Sequence, residues 1–178
     1  MASSASILKR RLVKAAEQRC NSTTLQMAHW AEFEAAEPDL AARVKAVLMA
    51  RKHHTLATLR KDGSPRVSGI EVAFDGDDLV LGFMPDSRKL SDVRRDGRMA
   101  LHALSDDPPD GNHAAWKGDV KVGGTLVERS AEPRSQAAGV RQWLDISEIV
   151  LTHLDQLATH LEIESWHPGR GREITERA

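Results

Sequence analysis

"HTLATLRKDGSPRVSGIEVAFDGDDLVLGFM", running from His54 to Met84, is the stretch on which the fold turns. Three apolar and β-branched runs, His54–Arg60, Pro65–Phe74 and Leu79–Met84, are parted by "KDGS" and "DGDD". An Asp-Gly pair between such runs is a hairpin signal, because glycine takes the positive φ that a tight turn needs without steric cost. The spacing therefore predicts three consecutive antiparallel strands. The third run, "LVLGFM", is apolar at successive positions, so both of its faces are expected to be covered and the strand to be central.

Outward from this core the period changes. Ser87 opens a short helix whose inner face carries Leu90 and Val93, and "RMALHAL" (Arg98–Leu104) is a fourth strand. Ser105–Gly118 reads as a long polar loop; loops of that length tend to carry function or to lack order. Asp119–Glu128 is a fifth strand, and its Gly123-Gly124 pair marks a bulge or a close backbone approach. Pro133–Leu144 has the composition of a helix, Ile146–Leu154 and Thr159–Pro168 those of two final strands, and 171–178 is a charged tail. Before the hairpins, Pro38 suits the first position of a helix. Leu40, Val44, Val47 and Leu48 give that helix an apolar face ending near Lys52.

These elements make one mainly β (α+β) domain over residues 28–170. Six to seven antiparallel strands with two to three helices, at hairpin spacing, favour a barrel over a parallel sheet. Residues 1–27 are basic and rich in Ser and Ala. They weakly resemble an organellar transit peptide but read better as a poorly ordered extension, with Met27 as an alternative start.

Composition narrows the function classes. A formal net charge of −1 gives no global pull toward nucleic acid or membrane. A single cysteine, Cys20, excludes an internal disulfide and a thiolate-built zinc site. No apolar run approaches the ~20 residues of a membrane span. On these absences the expected compartment is the cytoplasm, with no nucleic-acid or membrane partner. The eight histidines include no pair at helical zinc spacing. His53 and His54 are adjacent, so a strand would send them to opposite faces. No metal site is expected.

The remaining chemistry is cationic. Ser87, Arg88 and Lys89 begin the short helix, although a helix N-terminus carries partial positive charge and prefers acids. Antiparallel pairing brings Arg66 and Ser68 of the second strand toward the same place. Three cations, two hydroxyls and free backbone N–H groups form an anion site suited to a phosphate. The same residues also fit a solvated basic edge, neutralised by Asp86 and Asp92.

The segments "PRVSGIEV", "LVLGFMPDSRKLSDVRRDGRMALHAL" and "WKGDVKVGGTLVE" resemble the pyridoxamine 5'-phosphate oxidase-like family of flavin-binding split β-barrels. The resemblance covers roughly residues 30–168, and its most specific part is the Ser-Arg-Lys after the third strand. It implies that Arg66, Arg88 and Lys89, with Ser87, hold the phosphate of FMN or of the alternative 8-hydroxy-5-deazaflavin coenzyme. It implies that Val67 and Ser68 run along the ring system, with Gly82 and Phe83 close by. It further implies a homodimer with the cofactor between subunits, and assigns Trp166 as the residue reaching across from the second chain. Trp166 closing the barrel is the competing reading. Glu71 replaces a lysine that touches substrate phosphate in the vitamin B6 enzymes, and Asp119 replaces a glutamine that touches the flavin. An acid at Glu71 repels a phosphate and argues against vitamin B6 oxidation. The implied activity is transfer of hydride or electrons to a small organic substrate. The alternatives are a non-catalytic flavin- or ligand-binding protein and a heme-binding split barrel. No acid–base residue is assigned; His102 on the fourth strand is the one candidate near the site.

Overall fold

The computed structural model describes residues 26–129 and 139–177. Its elements are α1 (Trp30–Ala36), α2 (Pro38–Ala50), β1 (His53–Leu59), β2 (Pro65–Asp75), β3 (Asp78–Phe83), α3 (Arg88–Arg95) and β4 (Arg98–Leu104). They continue with a 3-10 turn (His113–Ala115), β5 (Asp119–Val127), β6 (Val140–Leu154), β7 (Leu161–His167) and β8 (Gly171–Arg177). The eight strands run in the order β3-β2-β1-β4-β5-β6-β7-β8, and β3 also pairs with β6. That pairing closes β3, β2, β1, β4, β5 and β6 into a six-stranded antiparallel barrel, with β7 and β8 as an extension.

Both hairpins form as the sequence requires. Gly63 and Gly76 take φ of +82° and +58° in the two turns. β3 is central, with Leu79, Val80, Leu81 and Phe83 buried between β2 and β6. The Gly123-Gly124 pair is both bulge and close approach. Ser147 of β6 is the extra residue, because Gly123 pairs with Glu148 and Gly124 with Ile146. A Cβ on Gly124 would stand 2.2 Å from the Asp145 carbonyl oxygen.

β6 is long because it serves two sheets. Val140–Trp143 closes the barrel against β3, and Ile149–Leu154 carries β7. The helix expected over Pro133–Leu144 is therefore corrected from Val140 onward; Pro133–Ala138 lie outside the described residues. The alternation of Val140, Gln142, Leu144 and Ile146, all buried, against Arg141, exposed, overrides the helix-forming composition. The charged tail is corrected as well. From Gly171 to Arg177 it is β8, hydrogen-bonded along β7 from Leu161↔Arg177 to His167↔Gly171. Its polar side chains suit an exposed edge, which charge protects from further pairing. Most of the extension expected over 1–27 lies outside the described residues; Ala28 bridges to Ile146 with bonds of 2.9 and 2.8 Å.

The helices plug the barrel. Leu40, Val44 and Leu48 of α2 and Trp30 and Phe33 of α1 are within 1% of full burial. Trp30 meets Phe74 edge-on at 4.8 Å, and Phe33 meets Trp166 at 4.9 Å. α1 has seven residues, too few to persist alone. Its two buried aromatics hold it, at roughly 1.5–3 kcal/mol for each fully buried side chain. No helix among the described residues is long and apolar enough to cross a membrane.

Candidate functional site

β2 alternates strictly. Val67, Gly69, Glu71 and Ala73 face outward, while Arg66, Ser68, Ile70 and Val72 face the interior or its rim. The last β2–β3 pair is Glu71↔Gly82, so β3 ends before reaching Arg66. α3 occupies the space beyond. Ser87 caps it, its Oγ accepting from the Leu90 N–H at 3.3 Å. Leu90 and Val93 are buried beneath it. Asp86, just before the cap, takes a φ of +60°, a conformation aspartate tolerates better than most residues.

Two of the three cations tie β2 to α3. Arg66 Nε donates to Asp92 Oδ2 of α3 at 2.5 Å. Lys89 Nζ donates to the carbonyl of Gly69 on β2 and stands 5.9 Å from the Phe83 ring centroid. Arg88 is exposed and makes no ion pair among the described residues. Thus β2 and the first turns of α3 bring Arg66, Arg88 and Lys89 to one edge, where the first N–H groups of the helix lack intrahelical acceptors.

Sequence reasoning missed the role of Asp92. It is not a surface counter-charge but a buried one, its side chain only 5% exposed. It accepts from Arg66, from Thr58 Oγ1 at 3.2 Å and from Arg95 at 3.3 Å. Burial pushes its carboxyl upward, yet the bonds from Arg66, Arg95 and Thr58 outweigh burial and hold it below the usual carboxylate range. Asp92 therefore fixes Arg66 through Nε and leaves the terminal guanidinium nitrogens for another partner.

Val67 is 69% exposed on the outer face; Gly82, also exposed, lies further along the sheet on β3, opposite Glu71. Phe83 turns its ring into the core at 1% exposure, so only its backbone can border a ligand. Ser68 Oγ is buried and has no hydrogen-bond partner. Trp166, on β7, is 4% exposed and packs against Phe33 of this chain, and it borders a recess lined by Met27, Ala28, Pro168 and Gly169.

The two departures at Glu71 and Asp119 are both engaged by bases. Glu71 lies 3.4 Å from Lys52 and 3.3 Å from His53. Asp119 Oδ2 lies 3.1 Å from His102 Nε2, while Asp119 Oδ1 is buried without a partner. Thr55, His102 and Lys121 stand in register across β1, β4 and β5 on the outer face. Beyond them the Ser105–Gly118 loop walls a recess of about 380 Å³ lined by Leu104, Pro108, His113, Trp116 and Leu154.

The sequence model of pyridoxamine 5'-phosphate oxidase matches residues 40–166. The chain belongs to the pyridoxamine 5'-phosphate oxidase family. No curated protein matches it in sequence. Among solved structures it is similar to PhzG from Burkholderia lata 383 in complex with tetrahydrophenazine-1-carboxylic acid, with a TM-score of 0.55 and 13% identity over 88% of this chain and 94% of that one. A pyridoxamine 5'-phosphate oxidase-related FMN-binding protein from Nostoc punctiforme PCC 73102 has a TM-score of 0.52 and 11% identity, covering 82% and 97%. A heme-binding protein from Mycobacterium smegmatis also has a TM-score of 0.52, with 13% identity, covering 75% of this chain and 56% of that chain. At these identities the neighbours establish the fold.

Proposed function

We propose that this family member is a homodimeric oxidoreductase that binds FMN or a deazaflavin coenzyme and reduces or oxidises a small organic substrate. The observation that carries the reading is the gathering of Arg66, Arg88 and Lys89 at the start of α3, with Arg66 fixed by a buried carboxylate. Such a cluster fits a phosphate: Arg66 offers its free fork, Lys89 a compact charge, and the helix N-terminus its N–H groups. A flavin or deazaflavin, when bound, supplies the hydride chemistry. The chain anchors the phosphate, lays the β2 backbone at Val67 and Gly69 beside the ring, and excludes water.

The outer face supports the dimer. Val67, Ala57, Ala100 and Gly123 form a flat run of small side chains, with Val67 69% exposed and Leu104 48% exposed nearby. The recess under the Ser105–Gly118 loop supports an enzyme over a passive carrier, since it sets Leu104, Pro108, Trp116 and Leu154 beside the polar Arg51, Asp107 and His113. Glu71 makes a phosphorylated substrate the poorer choice, as Coulomb repulsion there disfavours an anion.

Titration with FMN and with riboflavin, which lacks the phosphate, tests the reading. One charge-assisted hydrogen bond contributes about 1.5–3 kcal/mol, so FMN should bind about 10-fold to 150-fold tighter. Equal affinities would remove the phosphate anchor from the account.

A further inference from the structure

The extension of the barrel carries a cluster of titratable groups that the flavin reading does not use. His153 of β6, Glu162 of β7 and Glu176 of β8 stand in one register row, His153↔Glu162 and Glu162↔Glu176. Glu164 follows Glu162 on the same face of β7, because side chains alternate along a strand. The Nε2 of His153, a carboxylate oxygen of Glu162 and one of Glu164 all lie within 4.8 Å of one another. No helical spacing links these residues; strand register brings them together.

Acceptors outnumber donors there. Arg43 of α2 donates to both oxygens of the buried Glu164, at 2.6 and 2.8 Å, and Arg172 Nη2 stands 2.5 Å from Oε2. A carboxylate has about four lone-pair sites, so one on Oε1 remains. His153 Nε2 faces it at 2.6 Å and lies 3.5 Å from Glu162 Oε2. His153 Nδ1 is 2.9 Å from the Leu154 carbonyl, which only accepts, so Nδ1 carries the proton. The Nε2 of the neutral ring therefore turns a lone pair toward two carboxylates. Arg43 Nη1, 3.4 Å from that nitrogen, is committed to Glu164.

His160 repeats the pattern. Thr159 Oγ1 donates to Asp155 Oδ2 at 3.1 Å, so it accepts from His160 Nδ1 at 3.0 Å. His160 Nε2 is left with a lone pair. That atom is buried without a hydrogen-bond partner, 4.0 Å from Glu162 Oε1 and 3.9 Å from Glu176 Oε1. Glu162 and Glu176 pair with no lysine or arginine among the described residues, and like charges directly opposite on neighbouring strands are unfavourable. Such a gathering of acceptors around Glu162 calls for a cation.

We propose that His153 Nε2, Glu162 and Glu164 bind a divalent transition-metal ion of the zinc class, with His160 and Glu176 beside it. Mixed imidazole and carboxylate donors favour such an ion over calcium or magnesium, which take oxygen ligands. The bond from His153 Nδ1 to a backbone carbonyl fixes the ring as metal-ligating histidines are fixed. Glu162, its side chain 32% exposed, gives the ion a way in from solvent. The ion joins β6 to β7 and, through Glu164 and Arg43, to α2, so it clips the extension to the barrel. The site shares no residue with the cluster at α3, and the proposal stands apart from the flavin reading.

The test is a titration of the full-length, tag-free protein, treated with chelator and dialysed, with Zn²⁺ and Co²⁺, and with Mg²⁺ as the control ion. The proposal expects one equivalent of zinc to bind, a visible cobalt absorption band that zinc abolishes, and a melting temperature raised by zinc but not by magnesium. Glu162→Gln and, separately, His153→Gln should each weaken zinc binding by at least about 10-fold, the least expected even for a group that only supports a ligand. Glu173→Gln, on the opposite face of β8, should bind zinc as the wild type does. Melting curves in chelator show whether each variant is folded; Glu162→Gln, at a partly exposed position without an arginine partner, should keep the wild-type value. A wild-type protein that takes up no zinc, or zinc binding that Glu162→Gln and His153→Gln leave unchanged, would overturn the proposal. His153 would then be an imidazolium clamped on Glu164, and any ion taken up would belong to surface carboxylates elsewhere.

Discussion

Arg66 and Lys89 were equivalent in the sequence, as two cations near one helix start, but they are not equivalent in the structure. Arg66 neutralises the buried Asp92, whereas Lys89 makes a bond to a backbone carbonyl at a partly exposed position. Removing Arg66 therefore confounds binding with stability. Lys89→Ala is the cleaner change: FMN affinity should fall about 10-fold to 150-fold, while the unfolding free energy of the apoprotein should move by less than about 1 kcal/mol. Titration and urea unfolding on the same variant check both halves. Asp92→Ala should behave in the opposite way, costing roughly 1–3 kcal/mol of stability, because Arg66 and Arg95 lose their acceptor but can still reach water. His54 gives a pH signature. It is 6% exposed, neither ring nitrogen has a hydrogen-bond partner, and burial lowers its pKa. The unfolded chain then binds the proton more readily, so stability is full above the unfolded value of about 6.5 and declines as pH drops below it. His54→Leu should flatten the stability profile between about pH 6.5 and 5, as read by thermal melts across that range.

At the level of elements, two glycines of similar appearance should separate packing from binding. A Cβ on Gly124 collides with the Asp145 carbonyl at 2.2 Å, so Gly124→Ala should destabilise the bulge by about 1–3 kcal/mol in chemical unfolding. A Cβ on Gly82 meets nothing within 4 Å, so Gly82→Ala should leave stability near wild type and weaken cofactor binding if the ring lies over β3. The hairpins, β3, the fourth strand and the bulge were legible because local turn chemistry and period-two alternation agree there. The start of β6 was not. Ala- and Gln-rich composition before Val140 suggests a helix, and the pairing that decides otherwise lies more than fifty residues away, in β3. β8 was hidden for another reason: an edge strand with nearly every side chain exposed has no hydrophobic pattern to read. α1 escaped because seven residues carry too little periodicity, and its stability comes from Trp30 and Phe33 in the barrel core. The cation cluster was legible as a set. Its geometry was not, since Asp92 shows its importance only through burial.

The whole molecule is a closed barrel with one flat, small-residue outer face beside the proposed phosphate anchor. If that face pairs two copies, light scattering should give twice the 19.6 kDa chain mass. Ala100→Glu, which puts a charge on the exposed side of β4, should then shift the protein toward monomer and lower cofactor affinity together. A monomer that binds cofactor fully would separate the two. The central claim is narrower than assembly: the cluster at the start of α3 exists to hold the phosphate of a flavin-type cofactor. The most direct measurement is the absorbance spectrum of freshly purified protein, with mass identification of what denaturation releases. The account predicts a flavin or deazaflavin band and a released molecule that carries a phosphate. A heme Soret band, or a colourless protein that also fails to bind added FMN, flavin adenine dinucleotide or deazaflavin coenzyme, would contradict it.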